Sequence, residues 1–226
     1  MGLASWKFDT YSGAGSSIHS IDVLSNPFSQ AGSGCLVVSF PGTGGTTGYM
    51  TAIFPSSPGP SPGFSAGRLR SLFWIENSFT TATISNVYGI FFMADRSGSL
   101  PSAGASMYLF EYNADTRALR FLRTSTGLSG TPRILTSTAY SVLQRSVVAL
   151  QVDWFTDAAS IGGTYMKGFA GSSYDYSDLI SVIAYIDTIS FLTTASAEGV
   201  WGGTRVQNNP SSWTLKVDET YMYISA

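Results

Sequence analysis

Val148-Ala149-Leu150-Gln151-Val152-Asp153-Trp154 alternates strongly apolar residues with smaller or more polar ones, with a period of two. On an extended chain successive side chains point to opposite faces, so Val148, Leu150, Val152 and Trp154 share one face and Ala149, Gln151 and Asp153 the other. This is a strand with one dry and one wetter face. A dry face has to be buried against a second layer, so the chain is expected to hold a sheet packed on something else.

Outward from this strand, short runs of the same character recur between turn-forming residues, at the spacing of a sandwich or barrel. Upstream they are residues 35–40, 49–54, 68–75, 87–94, 107–112 and 119–123. Downstream they are 164–170, 183–189, 191–194 and 213–224, the last with Leu215 and Val217 facing in and Lys216 and Asp218 facing out. The runs 107–112 and 119–123 flank Asn113-Ala114-Asp115-Thr116, whose Asn and Asp side chains can satisfy turn backbone, which predicts an antiparallel hairpin. A helix is admitted only over 176–184, where Asp178 could begin a turn. Cys35 reads as a small buried hydrophobe, and Trp74 and Trp154 as core. Residues 41–67 are rich in Gly and Pro and read as a long surface loop around the 49–54 strand. Within it, Gly42-Thr43-Gly44-Gly45-Thr46-Thr47-Gly48 lacks the Lys of a phosphate loop and reads as a turn.

The chain has 226 residues, 44% of them hydrophobic, and only 12% are charged where about 25% is usual. That excludes disorder driven by charge. Lys and Arg number 12 against 14 Asp and Glu, a net charge of -2, which offers no footprint for nucleic acid or an anionic membrane. The single cysteine excludes an internal disulfide. The start, Met1 to Asp9, shows no basic segment followed by an apolar one, so no signal peptide is expected. No apolar run approaches the roughly 18 residues of a membrane helix, so no membrane insertion is expected. Residues 1–34, rich in Gly and Ser, are expected to form an extended N-terminal arm, and 35–226 one β-sandwich.

Catalytic patterns are sparse. His19 is the only histidine, and it stands in a Ser-rich stretch as a surface or turn residue, so no acyl-transfer triad is expected. Gly59-Pro60-Ser61-Pro62-Gly63 has the spacing of a nucleophile elbow, but its prolines prevent the strand-turn-helix that the motif needs. One His and one Cys cannot make a zinc site. The glutamates, Glu76, Glu111, Glu198 and Glu219, show no paired spacing, so a glycosidase pair could come only from distant strands, for example Glu111 with Asp153. No catalytic residue is assigned. No cofactor is expected either. Calcium is the one ion with oxygen donors at hand, in Tyr174-Asp175-Tyr176-Ser177-Asp178 and in Asp153 with Asp157. For carbohydrate the useful signal is an aromatic face on a loop beside Asn or Asp. Tyr174 and Tyr176 around Asp175, and Trp201 near Asn208 and Asn209, are the candidate glycan-binding residues.

The succession of strands carries a resemblance. Arg70-Ser71-Leu72-Phe73-Trp74-Ile75 is followed by Gly89-Ile90-Phe91-Phe92, the hairpin and a Val-rich strand ending in Asp153-Trp154-Phe155. The chain closes on Trp213-Thr214-Leu215-Lys216-Val217-Asp218-Glu219-Thr220-Tyr221-Met222-Tyr223-Ile224-Ser225. Over residues 66–226 this resembles the concanavalin A-like, laminin-G-type jelly rolls, and implies an all-β antiparallel jelly-roll β-sandwich with an extended N-terminal segment. A Cys-poor β-domain rich in Ser, Thr, Gly and aromatics also looks like the accessory structural proteins of tailed bacteriophages, such as head decoration proteins and tail-fibre domains. That likeness implies a non-enzymatic virion structural protein, made in the host cytoplasm and located on the virion. It would contact other virion proteins and copies of itself as a homo-oligomer. The alternatives are a lectin-like carbohydrate-binding module with a cell-surface glycan as partner, and a glycoside hydrolase.

Overall fold

The computed structural model describes residues 7–9, 18–22, 35–40, 48–54, 66–75, 87–95, 106–125, 132–142, 146–157, 159–189, 191–192, 200–208 and 213–225. Among them are fourteen strands and no helix long and apolar enough to cross a membrane. The first seven are β1 (Lys7–Asp9), β2 (Ile18–Asp22), β3 (Cys35–Phe40), β4 (Gly48–Phe54), β5 (Ala66–Ile75), β6 (Val87–Asp95) and β7 (Met107–Asn113). The rest are β8 (Ala118–Thr124), β9 (Arg133–Ala139), β10 (Val147–Asp157), β11 (Gly163–Gly171), β12 (Ile180–Asp187), β13 (Val200–Asn208) and β14 (Trp213–Ser225).

They form two seven-stranded sheets, β1-β4-β13-β6-β7-β8-β9 and β12-β11-β10-β5-β14-β3-β2. Every neighbouring pair is antiparallel. The expected all-β sandwich is therefore observed. Residues 7–9 and 18–22 of the expected N-terminal arm add one strand to the rim of each sheet.

The alternation of β10 sorts as the sequence implies. Val148, Leu150, Val152 and Trp154 enter the core between the sheets and meet Tyr88, Ile90 and Phe92 of β6, Tyr108 and Phe110 of β7, and Phe121 of β8. The rings interlock, with Phe92 centred 5.1 Å from Trp154 and 5.7 Å from Tyr108, and Phe110 4.9 Å from Phe121. Aromatic pairs at such separations add to the burial of large apolar surfaces, which suits a chain with few charges. The hairpin joining β7 to β8 forms where expected, its turn held by Asn113 Oδ1, which accepts from the Thr116 N–H at 2.8 Å and the Thr116 hydroxyl at 2.9 Å.

β7 is buried along its whole length, and Val87, Phe91, Leu109 and Leu122, which point away from the core, are buried too. The outer side of the first sheet is thus covered in this region. On the outer face of the second sheet around β10 to β12, by contrast, Phe155 and Ile186 are exposed, while Ala149 and Gln151 are buried.

Several expectations are corrected. No helix forms over 176–184; β-branched Ile180, Val182 and Ile183 belong to β12 instead, as their stiff χ1 favours. Four strands were not foreseen: β1, β2, β9 and β13. His19 lies on β2, opposite Val38, and not in a turn. Of the expected strand 191–194, residues 191–192 are not extended in a sheet and 193–194 lie outside the described residues. Trp74 is not part of the main core; it packs on a smaller cluster of Cys35, Leu72, Ala149 and Tyr176. Lys216 does point out of the sandwich, opposite Trp74 and Val37, yet it is buried. Cys35 is buried, as expected. Residues 41–47 and 55–65 of the Gly/Pro-rich loop lie outside the described residues.

The rims are built unlike the middles. β1 and β2 have three and five residues. β9 and β12 are longer but irregular: β9 carries an extra residue, Leu135, opposite the Phe121/Leu122 step, and β12 an extra Val182 opposite Gly168/Phe169.

One core group lacks a partner. The Tyr88 hydroxyl is buried, and among the described residues it makes no hydrogen bond. Burial, then the neighbouring Tyr112 and Tyr140, pushes its ionisation well above the usual tyrosine range. An orphaned polar atom in a core costs about 1–3 kcal/mol, so Tyr88→Phe is expected to raise stability by about 1 kcal/mol in urea denaturation; a loss of stability would show that the hydroxyl is bonded.

Candidate functional site

The register of β12, β11, β10 and β5 sets outward-pointing residues in rows across the strands. The first row is Ile186, Tyr165, Phe155 and Ala66; the second is Ala184, Lys167, Asp153 and Arg68. The third holds Phe169, Gln151 and Arg70, and the fourth Gly171, Ala149 and Leu72. Adjacent strands lie about 4.8 Å apart and alternate residues about 6.7 Å apart along each strand, so the rows tile a compact, slightly twisted surface.

Each row has its own chemistry. In the first, Phe155 and Ile186 are 41% and 45% exposed, and the Phe155 and Tyr165 rings pair at 5.1 Å. In the second, Arg68 grips Asp153 with both prongs, Nε to Oδ1 at 2.7 Å and Nη2 to Oδ2 at 2.6 Å. Gln151 from the third row donates its Nε2–H to the same Oδ1 at 3.0 Å. Lys167 holds its ammonium 5.2 Å from the centre of the Phe169 ring. The fourth row is dry: Ala149 and Leu72 sit with Cys35 and Tyr176.

The turn after β11 closes that dry end. Asp178 organises it, accepting from the Ser172 N–H at 2.8 Å, the Ser172 hydroxyl at 2.7 Å and the Ser173 N–H at 2.9 Å. Partial burial works to raise the Asp178 carboxyl, but the Ser172 hydroxyl and the Ser172 and Ser173 amides outweigh it and hold it below the usual carboxylate range. Gly171 is required here, because a side chain would strike the Asp178 carboxylate. Tyr176 takes a left-handed backbone, φ 62°, which turns its ring onto the sheet beneath the Arg70 guanidinium, 4.3 Å from the ring centre.

The sequence candidates divide accordingly. Tyr174 is half exposed and Asp175 lies exposed beside it, with Oδ1 accepting from the Ser177 hydroxyl at 2.6 Å and the Ser177 N–H at 3.0 Å. These bonds hold the Asp175 carboxyl below its usual range. Tyr176 is buried, so its ring offers little surface to a ligand. Trp201 is on β13, opposite Ala94 at an irregular step, and not on a loop; its side chain lies outside the described residues. It belongs to the other sheet, so it shares no row with Tyr174 and Asp175. Phe155, Tyr165, Arg68 and Lys167 were not among the candidates. The usable signal was the wetter face of β10, which placed Gln151 and Asp153 together.

Two chemical expectations can be placed on this geometry. Glu111 and Asp153 cannot flank one glycosidic bond: Glu111 is buried on the outer side of the first sheet, bonded by Arg120 at 2.7 Å, while Asp153 faces outward from the second. The carboxylates considered for calcium are held by protein donors. Asp157 caps the amides of Ala159 and Ser160 at 3.0 and 2.8 Å, which hold its carboxyl below the usual range. Among the described residues no cluster of three or more His, Cys, Asp and Glu is placed to hold a metal.

No protein-family model matches the chain, and no curated protein matches it by sequence. Solved structures do match in shape. The lectin UEA-II complexed with galactose is 13% identical, covers 93% of this chain and 93% of its own, and superposes with a TM-score of 0.52. The marine PL-14 alginate lyase from Aplysia kurodai is 9% identical over 92% of this chain and 87% of its own, TM-score 0.56. The VIP36 exoplasmic/lumenal domain, in a calcium- and glycan-bound form, is 11% identical over 96% of this chain and 84% of its own, TM-score 0.53.

These matches correct two expectations. A virion structural protein is not supported, since the similar structures are lectins and an alginate lyase. The expectation of a non-enzymatic chain, drawn from the sparse catalytic patterns and the likeness to virion proteins, falls as well, because the fold is shared with an alginate lyase. Calcium occurs on this fold in VIP36. Sheet order, register and these superpositions together show that the chain has the concanavalin A-like fold, two antiparallel sheets in a jelly-roll sandwich.

Proposed function

We propose that the chain is a carbohydrate-binding protein of lectin type, which takes a saccharide on the outer face of β10, β11 and β5. The observation that carries this reading is the Phe155–Tyr165 ring pair, Phe155 exposed and Tyr165 half-buried, immediately beside the Asp153, Arg68, Gln151 and Lys167 cluster. A pyranose has the matching character, an apolar C–H face that stacks on a ring and a rim of hydroxyls that need donors and acceptors. The ion pair and the Gln151 bond fix these groups before the ligand arrives, which lowers the ordering cost of binding. Tyr174 and Asp175 lie on the turn that bounds the same face and supply a secondary contact. Lectins of this fold, one solved with galactose, give the reading its context.

The test is titration calorimetry against a panel of oligosaccharides, with and without calcium. Phe155→Ala and Tyr165→Ala are each expected to weaken binding about tenfold, which corresponds to about 1.4 kcal/mol, with the β circular-dichroism signal unchanged. Binding that survives both substitutions and is lost in Trp201→Ala would put the site on the other sheet and overturn the reading.

A further inference from the structure

We infer that the saccharide is a stretch of a linear chain, which crosses the strands from β12 to β5 along the first two rows; this rests on the carbohydrate-binding reading of the same face. The accessible part of that face is wide across the strands and short along them. In the first row Ile186 and Phe155 are exposed and Tyr165 and Ala66 half-buried, and in the second Ala184 and Arg68 are exposed and Lys167 and Asp153 half-buried. On β10 the next outward-pointing residues, Gln151 and Ala149, are buried, and so is Leu72 beside Ala149. Tyr176 is packed on Ala149 and Leu72. A ligand running along β10 would therefore meet covered surface after two rows, whereas one running across the strands stays on accessible surface from β12 to β5.

The chemistry repeats in the same direction. Each strand brings a carbon-rich side chain to the first row, Ile186, Tyr165, Phe155 and Ala66 in turn, and three of the four bring a polar one, Lys167, Asp153 or Arg68, to the second. Rows about 6.7 Å apart let one pyranose lay its C–H face on the first and turn its hydroxyl edge to the second. Adjacent strands about 4.8 Å apart make the four span about 14 Å, the length of about three linked pyranoses. A single sugar on the Phe155–Tyr165 pair leaves Ile186 and Ala184 bare. β12 is the last strand of its sheet, and the exposure of those two residues leaves that side open, so a chain can run on past the rim and no sugar end is needed.

The experiment titrates the full chain and its Ile186→Ser variant with cello-, manno- and galacturono-oligosaccharides of one to six units. In the series that binds, the trimer is expected to bind about tenfold more tightly than the monosaccharide, because contacts on neighbouring strands are added to a ligand already held. Ile186→Ser is expected to weaken the trimer about threefold, with the β circular-dichroism signal retained. A monosaccharide that binds as tightly as the trimer, or a trimer indifferent to Ile186→Ser, overturns the linear-chain inference; if Phe155→Ala still weakens that binding, the carbohydrate-binding reading stands. Failure of a broad oligosaccharide panel, these series included, to bind overturns both.

Discussion

Asp187→Ala is expected to remove about 3 kcal/mol of stability, because it breaks a buried ion pair and strands three donors at once. Asp187 ends β12 with its side chain 2% exposed, and its Oδ2 accepts from the Tyr108 hydroxyl at 2.9 Å and from Arg123 Nη1 at 3.3 Å. Its Oδ1 accepts from the Ile189 N–H at 3.1 Å. Tyr108 and Arg123 belong to the first sheet and Asp187 to the second, so the cluster ties the two layers together. It also fastens the chain beyond β12, since the Tyr108 oxygen accepts from the Leu192 N–H at 3.1 Å and Arg123 donates to the Ile189 carbonyl at 2.7 Å. Burial holds the Tyr108 hydroxyl protonated well above the usual tyrosine range, so it remains a donor at any working pH. For a chain of this length the loss lowers Tm by about 6–12 °C. Asp187→Asn keeps an acceptor and should cost less. Hydrogen exchange at the Ile189 and Leu192 amides gives a local reading; unchanged protection there, with unchanged stability, would refute the account.

Phe110→Ala is expected to cost about 3–5 kcal/mol by opening a cavity at the centre of the sandwich. The ring is fully buried, and it reaches across the core to Gly168 on β11. A side chain at Gly168 would lie 2.6 Å from two carbons of that ring and 2.8 Å from Ile183 Cγ2. Gly168→Ala alone is therefore expected to overpack the core, at about 1–3 kcal/mol. Combined, the added methyl enters the space the ring has left, and the double variant should be more stable than the sum of the two losses by about 1 kcal/mol or more. Strict additivity would mean that the two positions do not share a boundary. Gly168 lies between Lys167 and Phe169, which point the other way, so the single Gly168→Ala variant should also disturb ligand binding.

Local pattern carried much of this fold. Period-two alternation placed both faces of β10, and Asn113 to Thr116 marked the turn between β7 and β8, because in each case the determining contacts lie within a few residues. β13 was missed since Gly202, Gly203 and Thr204 break any alternation, and its strand state depends on β4 and β6 on either side. The binding face was half visible: Gln151 and Asp153 were seen to share a side, but Arg68 is 85 positions from Asp153 and meets it only through the β5–β10 register. Such pairing is set by the whole sheet, which no short window contains. Tyr176 misled for the opposite reason, because a tyrosine in a polar turn reads as exposed unless its left-handed backbone is known.

A Cys-poor chain with 12% charged residues and 44% hydrophobic ones is well stocked with the material of cross-β fibrils. Its rims deny those fibrils a template. Three- and five-residue strands offer too little backbone to extend, and the extra residues Leu135 and Val182 throw the two longer rims out of step with any straight incoming strand. Deleting Val182 would restore an even ladder on β12, and the protein would then be expected to gain an appetite for its own kind that thioflavin fluorescence could follow.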